Sequence, residues 1–146
     1  MVVTAESCTG GMIAAALTDV PGSSAVVERG FVTYSNEAKS EMLGLSIALI
    51  EKHGAVSGEV AGAMATGAIQ HSRASLAVSV TGIAGPTGGT ADKPVGLVWF
   101  GLADRNGLIR VERRVFSGGS RAFVRKKATQ TALRLVLNAV GGVIRY

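Results

Sequence analysis

Apolar and polar positions along this chain alternate between the spacing of strands and the spacing of helices. Runs rich in β-branched and aromatic residues predict strands. These runs are VVTA (2–5), AVVERGFVTYS (25–35), SLAVSVTG (75–82), VGLVWFGLAD (95–104) and LIRVERRVF (108–116). The last two flank Asn106-Gly107, and Asn-Gly between strand-like runs predicts a hairpin.

Between these runs lie stretches with helical spacing. They are GGMIAAALTDV (10–20), NEAKSEML (36–43), GEVAGAMATGAIQHSRA (58–74) and RAFVRKKATQTALRLVLNAV (121–140). Asn36, Ser57 and Ser120 are candidate N-caps. Pro21-Gly22 closes the first helix, and Gly141-Gly142 closes the last. Strands mixed with covering helices predict an α/β sandwich, and the hairpin makes its sheet mixed.

Length and composition narrow the class of protein. The 146 residues suit one domain, 1–146, large enough for a real core. No apolar run approaches the roughly 20 residues that span a bilayer, and the first residues lack the pattern of a signal peptide. A single cysteine, Cys8, excludes an internal disulfide, and His53 and His71 lack zinc-ligand spacing. We therefore expect a soluble, cytoplasmic domain without a metal or other cofactor.

Charge is distributed unevenly along the chain. Residues 1–109 hold nine acids and six bases, a net of −3, whereas residues 110–146 hold nine bases and one acid, a net of +8. This asymmetry suggests an anionic ligand or nucleic acid near the C-terminal third, although a solvated helix face is the favoured explanation of the charge pattern alone. Only seven aromatic residues are present, and they are not interleaved with the bases, so nucleic acid is the weaker interpretation.

Three loops hold more glycine and hydroxyl side chains than a plain connection needs. They are TAESCTGG (4–11), PGSS (21–24) and TGIAGPTGGT (81–90). None has the spacing of a Walker loop or of the dinucleotide fingerprint. Each loop alone is more typical of a structural turn than of a binding site.

Lys39 is the residue that favours chemistry. A lysine near a helix N-terminus has a lowered pKa, and a neutral lysine can act as the general base of a serine. The alternative is a solvent-facing lysine. Cys8 is a rival nucleophile that would need His53 or His71, but a small buried cysteine explains it better, and capping explains His71.

Two further charged residues have open roles. Glu6 can orient a lysine or hydroxyl, or it can satisfy backbone N–H groups of its turn. Arg121, after Gly118-Gly119, can hold a phosphate, or it can be a surface arginine.

Five blocks together resemble the C-terminal domain of competence- and damage-inducible protein A (CinA). They are TAESCTGG, PGSSAVVERGFVTYSNEAK, HGAVS, VTGIAGPTGG and KPVGLVWFGLA, within residues 2–140. That family includes stand-alone nicotinamide-mononucleotide amidohydrolases, which form nicotinic acid mononucleotide and ammonia. The resemblance implies a three-layer α/β/α sandwich, Ser-Lys chemistry, bacterial pyridine-nucleotide salvage and no metal. The family also places a helix before the first strand, which this sequence lacks.

The resemblance implies a set of site residues. The catalytic candidates are Ser7, Lys39, Tyr34 and Ser24, and the candidates for substrate binding are Thr81, Gly82, Gly85, Thr9, Gly10 and Arg121. Either serine could attack the amide; we favour Ser7, with Ser24 relaying a proton. Lys126 or Lys127 could replace Arg121 at the phosphate, and another subunit of a homo-oligomer could contribute. A nucleotide-binding regulatory module without turnover is the alternative to an enzyme.

Overall fold

The computed structural model describes residues 1–141 of the chain. The strands are β1 (Val2–Glu6), β2 (Val27–Val32), β3 (Leu76–Gly82), β4 (Leu97–Asp104) and β5 (Ile109–Val115). The α-helices are α1 (Met12–Thr18), α2 (Asn36–Leu43), α3 (Ile47–His53), α4 (Gly58–Gln70) and α5 (Arg121–Gly141). A short 3₁₀ helix (Ser23–Ala25) precedes β2.

The strands form one mixed sheet in the order β2-β1-β3-β4-β5. β1 is parallel to both β2 and β3, whereas β4 is antiparallel to β3 and β5. The predicted hairpin is therefore confirmed as the β4–β5 connection, and the mixed sheet is confirmed with it. In the turn, the Asp104 side chain accepts hydrogen bonds from the N–H groups of Asn106 and Leu108, at 2.9 and 3.0 Å.

Helices cover both faces of the sheet because successive strand residues point to opposite sides. On β1, Val2 belongs to a core cluster with Ile13 of α1 and Val124 of α5. The next residue, Val3, belongs to a second cluster with residues of α2, α3 and α4. Two cores on opposite faces of one sheet give three layers, so the α/β/α sandwich is confirmed.

Side-chain caps explain most of the helix starts, with one correction. Ser57 caps α4 as expected, accepting a hydrogen bond from Val60 N at 3.2 Å. Asn36 was predicted to cap α2, but Ser35 does so by accepting from Ala38 N at 3.0 Å, and Asn36 is the first helical residue. Hydroxyls bond N–H groups as readily as amides do, so a Ser-Asn pair leaves the cap ambiguous. The predicted stop of the last helix was Gly141-Gly142. α5 includes Gly141, and Gly142 lies outside the described residues.

The strand order brings the conspicuous loops to one edge. β1 and its two parallel neighbours end side by side, and Glu6 pairs with both Val32 and Val80. The segments that follow these three strands therefore meet where ligands commonly bind in α/β sheets. They hold Ser7, Tyr34 and the loop after Gly82.

Candidate active site

The turn from β1 to α1 is organised by a buried carboxylate. Glu6 is fully buried, and its Oε1 accepts hydrogen bonds from Thr9 Oγ1 at 2.6 Å and from Ile13 N at 2.9 Å. Its Oε2 accepts from Ala14 N at 3.1 Å. A negative charge at the start of α1 is stabilised by the helix dipole and by these N–H groups. Glu6 therefore satisfies backbone N–H groups after its turn and also orients a hydroxyl, that of Thr9, while Lys39 has no salt bridge with it.

The same turn is also held by Arg125 of α5, the helix that packs on the same face of the sheet as α1. Its Nε donates to the carbonyl of Cys8 at 3.0 Å, and one terminal nitrogen donates to the carbonyl of Thr9 at 3.4 Å. Arg125 is not among the predicted site residues, because the contact joins positions 117 apart along the chain. A signal did exist: Arg125 lies one helical turn after Arg121, on the side of α5 that holds Val124 and Ala128.

Lys39 reaches the hydroxyl of Ser7 in the interior of the protein. Its side chain is 1% exposed, and its Nζ lies 3.2 Å from Ser7 Oγ. The same nitrogen donates to the backbone carbonyls of Thr33 at 3.0 Å and Tyr34 at 3.3 Å. α2 positions the lysine, since Lys39 is its fourth residue. The expected solvent-facing alternative for Lys39 does not apply.

Burial lowers the pKa of the Lys39 amine, because removal from water disfavours the charged form. The nearby Cys8 sulfur partly opposes this effect, because a negative charge on it raises the pKa of Lys39. Among residues 1–141, no carboxylate forms a salt bridge with Lys39. The lowered pKa therefore arises from desolvation, rather than from the helix dipole on which the sequence argument depended.

A cavity of about 200 Å³ opens beside the Ser7–Lys39 pair. Its walls combine residues from the ends of all three parallel strands with residues from two helices. They are Ser7, Cys8, Tyr34, Asn36, Lys39, Ala55, Val56, Thr81, Gly82, Ala84 and Arg121. The structure thus brings six of the predicted site residues to one cavity: Ser7, Tyr34, Lys39, Thr81, Gly82 and Arg121.

Thr81 and Gly82 form the floor of this cavity at the end of β3. The Thr81 hydroxyl donates a hydrogen bond to the carbonyl of Ala55 at 2.8 Å, which leaves its lone pairs free to accept. Gly82 is needed for packing, because a Cβ there would lie 2.8 Å from Val98 and 2.9 Å from the carbonyl of Leu97.

Arg121 bridges the two loops at the mouth of the cavity. One terminal nitrogen donates to the carbonyl of Gly85 at 2.8 Å, and the other donates to the Tyr34 hydroxyl at 3.1 Å. Gly85 has φ +82°, and a Cβ there would clash with Val95 at 2.4 Å. Tyr34 is 62% exposed, so its backbone carbonyl contacts Lys39 while its ring lies at the rim.

Thr9 and Gly10 shape the turn but do not form the described walls of the cavity. Thr9 is buried with its hydroxyl on Glu6, as given above. Gly10 has φ +57°, a conformation that favours glycine, and it passes close to Arg125. Both residues therefore support Ser7 from behind.

Ser24 lies at the other end of the sheet. It is exposed in the 3₁₀ helix just before β2, and the start of β2 is paired with Val2, the first residue of β1. Ser7 follows the last residue of β1, so five strand residues, or roughly 16 Å, separate the two ends. Within one chain, Ser24 cannot relay a proton at the Ser7–Lys39 pair.

Cys8 has the properties of a core residue. It is 5% exposed, and burial raises the pKa of its thiol to about 11, although the positive charge of Arg125 partly opposes this. His71 Nδ1 lies 2.8 Å from the carbonyl of Gly67, the expected helix-end contact, and His53 lies 3.7 Å from Glu59. Neither histidine forms part of the described cavity wall, so the predicted Cys-His alternative has no geometry to support it.

Other features of the described residues lack a comparable constellation. A larger apolar groove of about 480 Å³ lies along α4, between α2, α3 and β5, and it holds no nucleophile–base pair among its described walls. Lys126 and Lys127 are exposed, and Lys127 lies over the ring of Phe123 at 5.7 Å. In residues 1–141, no three His, Cys, Asp or Glu side chains could hold a metal, and no helix is long and apolar enough to cross a bilayer.

Comparison with known proteins identifies the family of this chain. The model of the CinA C-terminal domain family matches residues 1–140. The chain is 55% identical over 137 residues to nicotinamide-nucleotide amidohydrolase PncC of Enterobacter agglomerans, covering 91% of this chain and 83% of that protein. It is 54% identical over 133 residues to the protein of the same name from Escherichia coli K12, covering 91% and 80%.

A solved structure has the same fold. The competence/damage inducible protein CihA from Agrobacterium tumefaciens superposes with a TM-score of 0.92 at 52% identity, covering 94% of this chain and 83% of that one. The family match over nearly the whole chain, the identity and the shared fold lead to one conclusion: this chain belongs to the CinA C-terminal domain family.

Proposed function

We propose that the chain hydrolyses the carboxamide of nicotinamide mononucleotide to nicotinic acid mononucleotide and ammonia, with Ser7 as nucleophile and Lys39 as general base. The activity follows from relatives named nicotinamide-nucleotide amidohydrolase at 54–55% identity over 91% of the chain. The assignment of residues depends on one observation: a buried lysine without a carboxylate partner lies 3.2 Å from a serine hydroxyl.

The surroundings of Lys39 suit a neutral amine. A neutral amine has two N–H groups and one lone pair. The carbonyls of Thr33 and Tyr34 can only accept, so they take the two N–H groups. The lone pair then faces Ser7 Oγ, which is where a base must be to receive the hydroxyl proton.

The reaction proceeds in two balanced stages. Ser7 Oγ attacks the carboxamide carbon while its proton moves to Lys39 Nζ, and the protonated lysine then gives that proton to the amide nitrogen. The C–N bond breaks, ammonia leaves, and an ester joins Ser7 to the nicotinoyl group. Water then attacks the ester carbon, Lys39 accepts its proton, and the acid is released as Ser7 Oγ recovers a proton.

The oxyanion donors come from the turn itself rather than from α1. The N–H groups of Ile13 and Ala14, at the start of the helix, are already bonded to Glu6. Within residues 1–141, the N–H groups of Cys8 and Thr9 donate to no other residue. The N–H directly after a nucleophilic serine is a common oxyanion donor, so we assign Cys8 N–H this role.

The cavity accommodates the reacting end of the substrate. Its volume of about 200 Å³ is below the roughly 300–1,000 Å³ of pockets that enclose a drug-sized ligand. We therefore place the pyridine carboxamide inside, with its NH₂ donating to the Thr81 hydroxyl, and the ribose phosphate at the open rim. Arg121 is exposed at that rim and keeps unused N–H donors for a phosphate.

Several expectations remain part of this proposal. Ser24 can join the site only if a second copy of the chain supplies it, which would require a homo-oligomer. Pyridine-nucleotide salvage in the cytoplasm is the expected setting.

The test measures ammonia release from nicotinamide mononucleotide by the purified protein and by Ser7→Ala, with Ser24→Ala alongside. We expect Ser7→Ala to lose at least about 10³-fold in rate, because the covalent route is removed. Unchanged folding, checked by circular dichroism and thermal melting, controls for misfolding. Retained turnover in Ser7→Ala with loss in Ser24→Ala would move the nucleophile to Ser24.

The same assay separates an enzyme from a binding module. A module without turnover would bind nicotinamide mononucleotide, measured by calorimetry, and release no ammonia. It would also bind equally well after Lys39→Ala, since no step then requires the base.

A further inference from the structure

We infer that Arg125 is a positioning residue for the reaction: its guanidinium holds the two peptide groups that follow Cys8 and thereby fixes the turn that carries Ser7 and the Cys8 N–H. The inference rests on the proposed role of Ser7. Arg125 does not form part of the described cavity wall, so it acts through the turn rather than on the substrate.

Arg125 donates a hydrogen bond to the carbonyl of Cys8, which belongs to the peptide between Cys8 and Thr9. The only cis peptide bond among residues 1–141 is Gly85–Pro86, so the peptide joining Cys8 to Thr9 is trans. In a planar trans peptide, the C=O and the N–H point in opposite directions. A carbonyl held against Arg125 therefore makes Thr9 N–H point away from α5, and this N–H has no acceptor in the described part of the chain.

The turn that carries Ser7 is also held by contacts other than those of Arg125. Gly10 N donates to the carbonyl of Ser7 at 3.0 Å, and Glu6 holds the Thr9 hydroxyl from the other side. Arg125 is the one partner of this turn that comes from α5 through a side-chain hydrogen bond. It thus couples α5 to the two peptide groups that follow Cys8, directly after the peptide that holds the assigned oxyanion donor, Cys8 N–H.

The planar geometry of the Arg125 guanidinium is needed for this positioning role. Two carbonyls of adjacent residues accept from Nε and from a terminal nitrogen of one planar group. A lysine ammonium is a point charge without this fork, so it cannot fix both peptide groups in the same way. The substitution Arg125→Lys therefore preserves charge and removes orientation.

The experiment compares Arg125→Ala and Arg125→Lys with the parent protein. Arg134→Ala is the matched control, because Arg134 is exposed on the same helix. We expect kcat of Arg125→Ala to fall by about 10²-fold, the cost of a misplaced reacting group. KM should change by less than about threefold, because the lost interaction is not with the substrate. Millimolar guanidinium ion should restore part of kcat in Arg125→Ala and leave Arg134→Ala unchanged.

The reactivity of Cys8 provides a second measurement that does not require activity. It is the only cysteine of the chain, and it is buried. Removing the positive charge of Arg125 should raise the pKa of Cys8 further and slow its alkylation if the turn keeps its shape. We expect the opposite: faster alkylation by iodoacetamide in Arg125→Ala without substrate, because the loosened turn exposes the thiol.

The outcomes decide between the alternatives. A rise in KM with unchanged kcat would make Arg125 a substrate-binding residue and overturn the inference. So would unchanged kcat with slower alkylation of Cys8. If Arg125→Ala does not fold, Arg125→Lys decides, with a lowered kcat and faster alkylation supporting the inference and parent-like values contradicting it. Ser7→Ala, run in parallel, reports separately on the proposed nucleophile.

Discussion

Two buried ionisable side chains, Glu6 and Lys39, lie next to Ser7, and they differ in the partners that surround them. Glu6 is fully buried, and its carboxylate receives three hydrogen bonds at the start of α1. Lys39 is almost equally buried, but its nitrogen meets a hydroxyl and two carbonyls, all neutral. The carboxylate thus has hydrogen-bond donors at both oxygens, whereas the lysine nitrogen has no counter-charge among the described residues.

This difference separates a structural role from a chemical one. A buried carboxylate with a full set of donors holds its surroundings in place. A buried lysine without a counter-charge has a lowered pKa and is available as a base. The distinction lies in the partners, since burial is the same for both.

The largest expected effect tests the base. Lys39→Arg and Lys39→Met should each lower the rate of ammonia release by about 10³-fold or more, because guanidinium does not deprotonate and a thioether is not a base. Lys52→Met is the control, since Lys52 is exposed. Substantial activity in Lys39→Arg would contradict the assignment, because the charge alone would then be sufficient.

The next effect tests the carboxylate as a structural element. Glu6→Ala should lower the free energy of unfolding by about 3 kcal/mol, since it leaves three buried donors without an acceptor. Glu6→Gln should cost about 1–2 kcal/mol, because one amide nitrogen would face a donor. Urea denaturation measures both, with exposed Glu41→Gln as the control, expected within about 0.5 kcal/mol. Stability equal to that of the parent would remove Glu6 from this role.

Variation of pH tests Lys39 in two ways. In activity, kcat/KM should rise about tenfold per pH unit while Lys39 is mostly protonated, then level off at a pH below the ordinary lysine pKa of 10.5. In stability, the unfolded chain binds more protons at Lys39 than the folded protein does at pH values between the two pKa values. The free energy of unfolding therefore falls as the pH decreases through that window.

Lys39→Met should lack this contribution to the pH dependence of stability. The stability of the variant relative to the parent should therefore improve as the pH falls from about 10.5, the lysine value in the unfolded chain. Denaturation curves at several pH values measure the difference. An identical pH dependence in both proteins would mean that the pKa of Lys39 is ordinary.

The smallest expected effect concerns the thiol next to the nucleophile. Cys8→Ala should keep the rate of ammonia release within about threefold, because a thiol with a pKa of about 11 is not a thiolate at neutral pH. The loss of stability should be about 1 kcal/mol, typical of a small change in a core. A loss of activity as large as that of Ser7→Ala would make Cys8 the nucleophile instead.

The elements of the fold were predictable from local patterns. The hairpin at Asn106-Gly107 and the cap at Ser57 follow from turn and capping chemistry, which depends on neighbouring residues. The predicted strand over 25–35 was too long, because Ser23–Ala25 forms a 3₁₀ helix and β2 ends at Val32. Strand propensity does not mark where sheet pairing stops.

The site was predictable in part. The blocks around Ser7, Lys39 and Thr81 identified residues that do meet at one cavity. The contact of Arg125 with Cys8 and the distance of Ser24 from Ser7 could not be predicted, because both depend on how distant elements pack. A lowered pKa of Lys39 was expected from the helix dipole, which is a local property. Its largest cause is burial, which depends on the folded chain and could not be predicted from neighbouring residues.

The hydrogen bond between Arg125 and Cys8 can form only late in the synthesis of the chain. A ribosome synthesises the Ser7 turn, Lys39 and strands β1 to β5 before it reaches α5, 117 residues after Cys8 in the case of Arg125. A nascent chain can therefore pair its strands while the turn beside Ser7 still lacks its guanidinium. A chain released before α5 would hold the nucleophile and the base without this constraint on their geometry.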